Sequence, residues 1–437
     1  MRMRKSVLLC YHSRPKGRFK TINLMANKRA RIVVIGGGFG GLFTALELAN
    51  DGEVTLVSAE DHFTFRPMLY EYLSGEVEAW HIAPHYRELL DDKIHFIHGA
   101  ASDVDFAART VAVEGWAEPL GYDALVLAVG GVTNYAGVEG AEEHTLPFRG
   151  IADADALRNL MIDTLDRIPP DASAEEARQR ATFAVVGGGA SGCELSTKMG
   201  DLLRDAFQRR GLRGEPRVVV VEMAEHVVPG MGEELRVYVE EALREAGVEV
   251  HTRTRVRRVT PEGFTFEQAG EETEVATAGV VWVGGVRVSP LVERLQIPKD
   301  KRGLVLVEQT LQVQGHAEVF SLGDDAHFPD ASPQLAGTAQ LAFQQSTLAA
   351  GNVRALLAGG ELKTKHFEEM GEALSLGTER AAVLAGGKAF GGALARQARF
   401  ALYTSRLPTW HHRVKVGASW FFEGTAPLPL GLRRPGS

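Results

Sequence analysis

"RIVVIGGGFGGLFTALELA" (residues 31–49) is the stretch from which the fold is read. An apolar run enters a glycine turn and leaves it with helical periodicity. Gly36, Gly38 and Gly41 have the spacing G-x-G-x-x-G, with Phe39 and Gly40 between the last two. The first glycine permits a tight turn. The second lets backbone approach a pyrophosphate, and the third lets helix pack on strand. The helix N-terminus then faces the phosphate charge. Strand before and helix after give the spacing its meaning as a dinucleotide-binding turn.

The next apolar run is "VTLV" (54–57). A carboxylate for the ribose hydroxyls is expected at its end, but Ser58 stands there, with Glu60 and Asp61 beyond. Either Ser58 or Glu60 takes that role. The whole device then recurs 151 residues further on, in "FAVVGGGASGCELSTKMG" (183–200), with Gly187, Gly189 and Gly192. Its following strand, "RVVVVEM" (217–223), ends in Glu222. A carboxylate here accepts from the adenosine ribose and repels a 2′-phosphate, and no Arg follows to receive one. The second site is therefore expected to prefer NADH to NADPH; the alternative is a vestigial fold that binds nothing. The long gap between Gly187 and Glu222 predicts an extended helix and loop through "DLLRDAFQRRGLRGEPR".

Two such sites in one chain suit a flavin held permanently and a nicotinamide that comes and goes. In "VFSLGDDAHF" (319–328) an apolar strand ends in Gly323-Asp324, where a carboxylate can accept from ribityl hydroxyls; an ordinary strand-to-turn Gly-Asp is the alternative. "YDALVLAVGG" (122–131), containing Ala128 and Gly130, and "GVVWVGGV" (279–286) are further buried strands ending in glycines. The predicted fold class is α/β, with two Rossmann-like domains and a C-terminal amphipathic helical region. The expected division is an extension over 1–28, a first nucleotide domain over 29–150 and 299–360, a second over 151–298, and a C-terminal region over 361–437.

The composition is that of a globular chain of 437 residues, 45% hydrophobic and 24% charged. Only Cys10 and Cys193 are present, far apart, which argues against a disulfide framework, a zinc site and a dithiol redox centre. The net charge of −8 gives no indication of nucleic-acid binding. It is unevenly placed: residues 388–437 hold eight Lys/Arg and one Glu, and the first acid in the chain is Glu47. No apolar run reaches the roughly 18–20 residues of a spanning helix. Val7–Tyr11 is too short for a signal-peptide core. Residues 1–28 read as a loose basic extension, with Met25 preferred as the true start over a disordered arm.

Late in the chain, "TAQLAFQQ" (338–345) opens a predicted helix capped by Thr338 and ending at Gly359-Gly360. Gln340 and Gln344 are four apart and share a face, and Ala339 leaves room for a flat ring against the helix start. From the residues alone this is either a site for an acceptor with carbonyls or an amide-rich solvated face. In 390–406, Phe390, Leu394, Ala398 and Ala401 are expected on one helical face and Arg396, Arg399 and Arg406 on the other. Around 410–422, Trp410, Val414 and Phe421 form an apolar stripe opposite His411, Lys415 and Ser419. Basic amphipathic helices with aromatic edges suit an anionic bilayer surface; packing on the body or on a second subunit is the alternative.

Both glycine turns, "HFTFRPMLYE", "YDALVLAVGG", "VFSLGDD" and "TAQLAFQQ", taken in order, resemble the type II NADH dehydrogenases, over about Arg31 to Gly377. "HFTFRPMLYEYLSGEVEAWHIAP" (62–84) is most similar to the cyanobacterial-type branch, some of whose members reduce biosynthetic naphthoquinones. The resemblance implies that the first fingerprint, Ala128, Gly130, Gly323, Asp324, Ala339 and Gln340 bind FAD, and that the second binds NADH. It implies that Glu194 lies near where nicotinamide meets flavin, against the plain reading of a carboxylate favoured by a helix N-terminus. It also implies that the A-Q-x-A-x-Q-Q pattern, filled here by Ala339 to Gln345 with Gln340 and Gln344 on one face, lines a quinone site. Departures are Ser58 for the usual acid, Ala336-Gly337 where prolines are common, and a loosely matching C-terminal region. The expectation is a peripheral, non-pumping NADH:quinone oxidoreductase on the cytoplasmic face of the cell membrane, as a homodimer. Alternatives are a biosynthetic naphthoquinone reductase or a slow NADH-binding redox sensor. A sulfide:quinone oxidoreductase or disulfide reductase would need cysteines beside the flavin.

Overall fold

The computed structural model describes residues 29–329, 337–367 and 371–431. The expected basic extension with Cys10 and Met25, Ala336, and the Arg433-Arg434 pair lie outside the described residues. The first sheet has six strands, in the order Gln312–Val313, His316–Ser321, Ala124–Leu127, Arg31–Ile35, Glu53–Ser58 and Ile94–His98. Ile32 pairs in parallel with Val54 on one side and Ala124 on the other. Both central strands are buried along nearly their whole length, which is why they read as unbroken apolar runs. Helix α1 (Phe39–Leu48) follows the first strand, and a short α2 (Leu69–Leu73) lies beyond the second. His316–Ser321 pairs in parallel with Ala124–Leu127, so this unit is assembled from segments on both sides of the second.

The second sheet runs Val248–His251, Arg217–Val221, Thr182–Val186, Gly279–Trp282 and Thr145–Pro147. Its edge strand Thr145–Pro147 precedes the expected division at 150. Helix α3 (Ala190–Arg210) is 21 residues long and stops at Gly211 with φ +64°. That length accounts for the wide gap between the second fingerprint and Glu222.

Helix α4 (Ala339–Leu357) packs across α1, with the Phe43 and Phe343 rings edge to face at 4.8 Å. Thr338 caps it, its hydroxyl accepting from Leu341 N–H at 3.1 Å. It ends at Gly359 with φ +68°, where Gly360 N–H returns to Ala355 O at 2.8 Å. A three-stranded antiparallel sheet follows (Glu372–Ser375, Ala381–Ala385, Lys388–Gly391), then α5 (Gly392–Arg406) and α6 (Trp410–Glu423). Two tail expectations need correction. Phe390 lies in a strand, because Gly392 at φ +83° turns the chain before the helix begins. Arg399 and Arg396 are not on a solvated face: Arg399 is about 1% exposed, drawn inward by two buried carboxylates, and Arg396 is drawn to buried Glu76. Residues 424–431 strap back over the body, with Leu428 N–H on Ser74 O at 2.7 Å and Arg158 holding the carbonyls of Leu428 and Pro429.

Candidate functional site

One cavity of about 1010 Å³ runs from the first glycine turn, past the end of the His316–Ser321 strand, to the start of α4 and the inner face of α5. At its first end Gly36 has φ +101°, and a Cβ there would stand 2.2 Å from Ala128 O. A Cβ on Gly41 would stand 1.8 Å from Gly36 O, so helix and turn touch backbone to backbone. Gly38, at the mouth of α1, would meet nothing within 4 Å: it faces open cavity. Phe39 and Gly40 line the same wall.

Ser58 and Glu60 both line this end, Ser58 buried and Glu60 exposed on the rim. Ser58 Oγ accepts from Glu60 N–H at 3.3 Å. The Tyr86 hydroxyl donates to Gly37 O at 2.7 Å and lies beside Ser58. A serine and a buried phenol thus occupy the place where a carboxylate was expected. Tyr86 was missed because it comes from a short helix 28 residues downstream of Ser58, with no local pattern to mark it.

The second turn repeats the geometry and keeps its acid. Gly187 has φ +108° and lies against the Gly284 backbone; a Cβ on Gly192 would stand 1.8 Å from Gly187 O; Gly189 is open. Glu222 accepts from Gly188 N–H at 2.6 Å and from Ala224 N–H at 2.7 Å, which fixes a negative charge over the turn. Glu222→Ala is expected to narrow the preference for NADH over NADPH by roughly tenfold, on the order of 1.4 kcal/mol. The ratio of the two kcat/KM values reads this directly, and an unchanged ratio removes Glu222 from that role. From this turn α3 carries Ala190, Ser191 and Glu194 to the cavity, while Gly187, Gly189, Gly192 and Glu222 do not line it.

Midway along the cavity stand Ala128, Gly130, Gly323 and Asp324. Gly323 N–H donates to Gln345 Oε1 at 2.8 Å, and Gly130 N–H to Asp325 Oδ2 at 3.2 Å. Both bonds hold the turn that presents Asp324. Burial raises the Asp324 carboxyl, opposed by the guanidiniums of Arg66 and Arg149, which also line the cavity. Asp325, Arg66 and Arg149 were not singled out in the sequence, and Gln345, the last residue of the A-Q-x-A-x-Q-Q pattern, is buried on Gly323 and does not line the cavity. "FRP" was the available signal.

At the far end Ala339, Gln340 and Phe343 of α4 face Leu402, Tyr403 and Arg406 of α5 across the cavity. Gln340 Nε2 donates to Gly371 O at 3.3 Å. Gln344 shares the helical face but is buried and does not line the cavity. Four residues rotate a helix by about 40° and raise it about 6 Å, enough to carry the second amide into the body.

Glu194, the carboxylate that faces this end, belongs to a buried ion network. Arg399 Nη1 contacts Glu71 Oε1 at 2.5 Å, and Nη2 contacts Glu194 Oε1 at 3.3 Å. Lys198 is bound to Glu76, which Arg396 also meets at 2.7 Å. Burial lifts the Glu194 carboxyl from 4.5 to about 8 against the pull of Arg399. Cys193 next to it is buried, its thiol pushed up by burial and donating to Gly188 O at 3.3 Å. Among the described residues no group of side chains has the makings of a metal site.

The profile of the pyridine nucleotide-disulphide oxidoreductases matches residues 30–345. Demethylphylloquinone reductase NdbB of Synechocystis sp. is 36% identical over 416 residues, 92% of this chain and 98% of that one. The type II NADH:quinone oxidoreductase NdhA of Mycobacterium tuberculosis is 29% identical, over 90% and 86%. The chain belongs to the type II NADH:quinone oxidoreductase family, among the pyridine nucleotide-disulphide oxidoreductases. In fold, it is similar to NDH2 from Plasmodium falciparum in complex with NADH, with a TM-score of 0.79 at 18% identity, covering 91% of this chain and 99% of that one. The matched residues 30–345 take in both sheets and the start of α4.

Proposed function

We propose that this chain is a peripheral, non-pumping NADH:quinone oxidoreductase with non-covalent FAD. The observation that carries the reading is the single cavity that joins the first glycine turn, the N-terminus of α3 and the α4–α5 wall. The residues fit a flavin dinucleotide: Gly38 leaves room for a pyrophosphate, and Asp324 is held at mid-cavity to accept from ribityl hydroxyls. Ala339 at the start of α4 leaves space for a flat ring, and the helix N-terminus there stabilises negative charge. FAD, when bound, accepts a hydride from a nicotinamide and returns two electrons to a second acceptor. Quinone plus NADH plus one proton gives quinol plus NAD⁺. Glu194 is the cavity carboxyl placed to hold that proton near neutral pH. Gln340 donates toward a quinone carbonyl. The likeness to the demethylphylloquinone reductase favours a naphthoquinone head group as the acceptor.

The test is an anaerobic two-step absorbance experiment on the flavin-loaded protein. NADH is expected to bleach the flavin band quickly, and a soluble naphthoquinone to restore it quickly. Fast bleaching with little return, in lipid and with benzoquinones also tried, would mean another acceptor or a sensor. In the same apparatus Gln340→Leu is expected to slow the return roughly fivefold to tenfold, the worth of about one hydrogen bond, and to leave bleaching intact. Equal loss in both steps would make Gln340 a structural group.

The acceptor's route fits a membrane surface. No helix among the described residues is long and apolar enough to cross a bilayer. Yet Leu394 and Trp410 are 74% exposed, and Phe421 and Phe422 83%, with Val414 beside them, all on α5 and α6. Lys415 and Arg413 accompany them, as an anionic surface requires. We take the working protein to be a homodimer on the cytoplasmic face, as the family resemblance implies. Phe421→Ser with Phe422→Ser is expected to weaken binding to anionic vesicles at least about tenfold. Vesicle co-sedimentation equal to wild type would place these rings in a protein contact instead.

A further inference from the structure

We propose that Glu71 is a positioning residue that sets the proton affinity of Glu194 by holding Arg399 away from it. The inference deepens the functional reading above and rests on it for the use of that proton. Three observations carry it. First, the guanidinium is shared unequally. It meets Glu71 at 2.5 Å and Glu194 at 3.3 Å, and the nitrogen nearer Glu194 also donates to Pro67 O at 2.5 Å. Second, the guanidinium lies over the Tyr403 ring at 4.6 Å, which fixes its plane. Third, Glu194 lines the cavity and Glu71 does not. The carboxylate outside the reaction space thus takes the larger share of the cation, and the one inside is left with less.

The charged or titratable groups around Glu194 come from four elements, and besides Arg399 only Lys198 among them favours its ionised form; the neighbouring Cys193 thiol is neutral, pushed up by burial. From α2 come Tyr70 and Glu71; Glu71 opposes ionisation of Glu194. From α3 comes Lys198, which is turned to Glu76 and stands 3.9 Å from Glu71. From α5 come Arg399 and Tyr403, whose hydroxyl donates to Ala373 O at 2.9 Å and not to Glu194. From the Glu372–Ser375 strand comes Ser375 N–H, which donates to Glu194 Oε1 at 2.8 Å. Arg399 is the only cation among these in contact range of Glu194 among the described residues. Removing the charge of Glu71 removes a repulsion and frees Arg399 to close on Glu194. Both changes favour the ionised form of Glu194.

The experiment follows the infrared carbonyl stretch of protonated Glu194 in the flavin-loaded protein, assigned by its loss in Glu194→Gln. The band is titrated from roughly pH 5 to roughly pH 10, a window that brackets a raised carboxyl. Wild type is expected to lose it with a midpoint near 8. In Glu71→Gln the midpoint is expected to fall by about one to three pH units. Glu71→Asp, which keeps the charge but withdraws it from Arg399, is a second variant in case the first does not hold flavin; its midpoint is expected to fall less. An unmoved midpoint in whichever variant folds overturns the proposal. The pH profile of the quinone half-reaction, measured beside it, separates the two readings. If the infrared midpoint falls and the profile does not follow, Glu71 tunes Glu194 as proposed and the proton role of Glu194 fails.

Discussion

Gly192→Ala is expected to leave a yellow protein that NADH reduces at least about 100-fold more slowly than wild type. The added Cβ would lie 1.8 Å from Gly187 O and 3.3 Å from a Val283 methyl. Backbone oxygen cannot yield as a flexible side chain can, so the start of α3 must move away from its strand. That displaces the N–H groups facing a pyrophosphate and shifts Ser191 and Glu194 at the cavity. A misplacement of about 1 Å is enough for a loss of about 100-fold in a positioned reaction. The flavin-to-protein ratio should stay at the wild-type value, because Gly36, Gly38 and Gly41 belong to the other sheet. Stopped-flow bleaching by NADH reads the effect. Bleaching at the wild-type rate would mean the second turn does not bind the nicotinamide dinucleotide.

Arg399→Met is expected to cost about 3–5 kcal/mol of stability and to loosen α5 from the body. Met fills much of the space but leaves Glu71 and Glu194 buried without their shared cation. It also removes the bond to Pro67 O and the contact over Tyr403. Because Leu402, Tyr403 and Arg406 of α5 wall the cavity, flavin should be released at lower denaturant concentration than from wild type. Adding Glu71→Gln should recover part of the loss, since the stranded charge of Glu71 is then gone while Glu194 keeps its proton. Denaturant titration followed by flavin fluorescence measures both. A loss under about 1 kcal/mol for the single variant would make this pair no stronger than an exposed one.

The two glycine turns were legible because their signals are local. A left-handed φ at Gly36 or Gly187, and a third glycine five residues on, are demands that the chain states at the positions where they apply. The same is true of Thr338 capping α4, of Gly359 ending it, and of Trp410, Val414 and Phe421 forming an exposed stripe. Glu222 was legible too, one residue beyond a continuous apolar strand. What stayed hidden depends on partners far away in the chain. Tyr86 completes the first turn in place of an acid, and Gln345 rather than Gln344 holds the turn before Asp324.

Arg399 shows the physical reason most clearly. Its helical period marked it as solvated, like Arg396 and Arg406, and the period of a single helix carries no information about what that helix packs against. Its partners lie 328 and 205 residues away, on α2 and α3. The sequence by itself determined the two dinucleotide folds, the acid that closes the second turn and the apolar stripe of the tail, because each follows from backbone conformation or spacing within one element. Only the tertiary structure decided which carboxylate faces the cavity and which one claims the arginine, because the cost of burying a charge depends on whether another element brings it a partner.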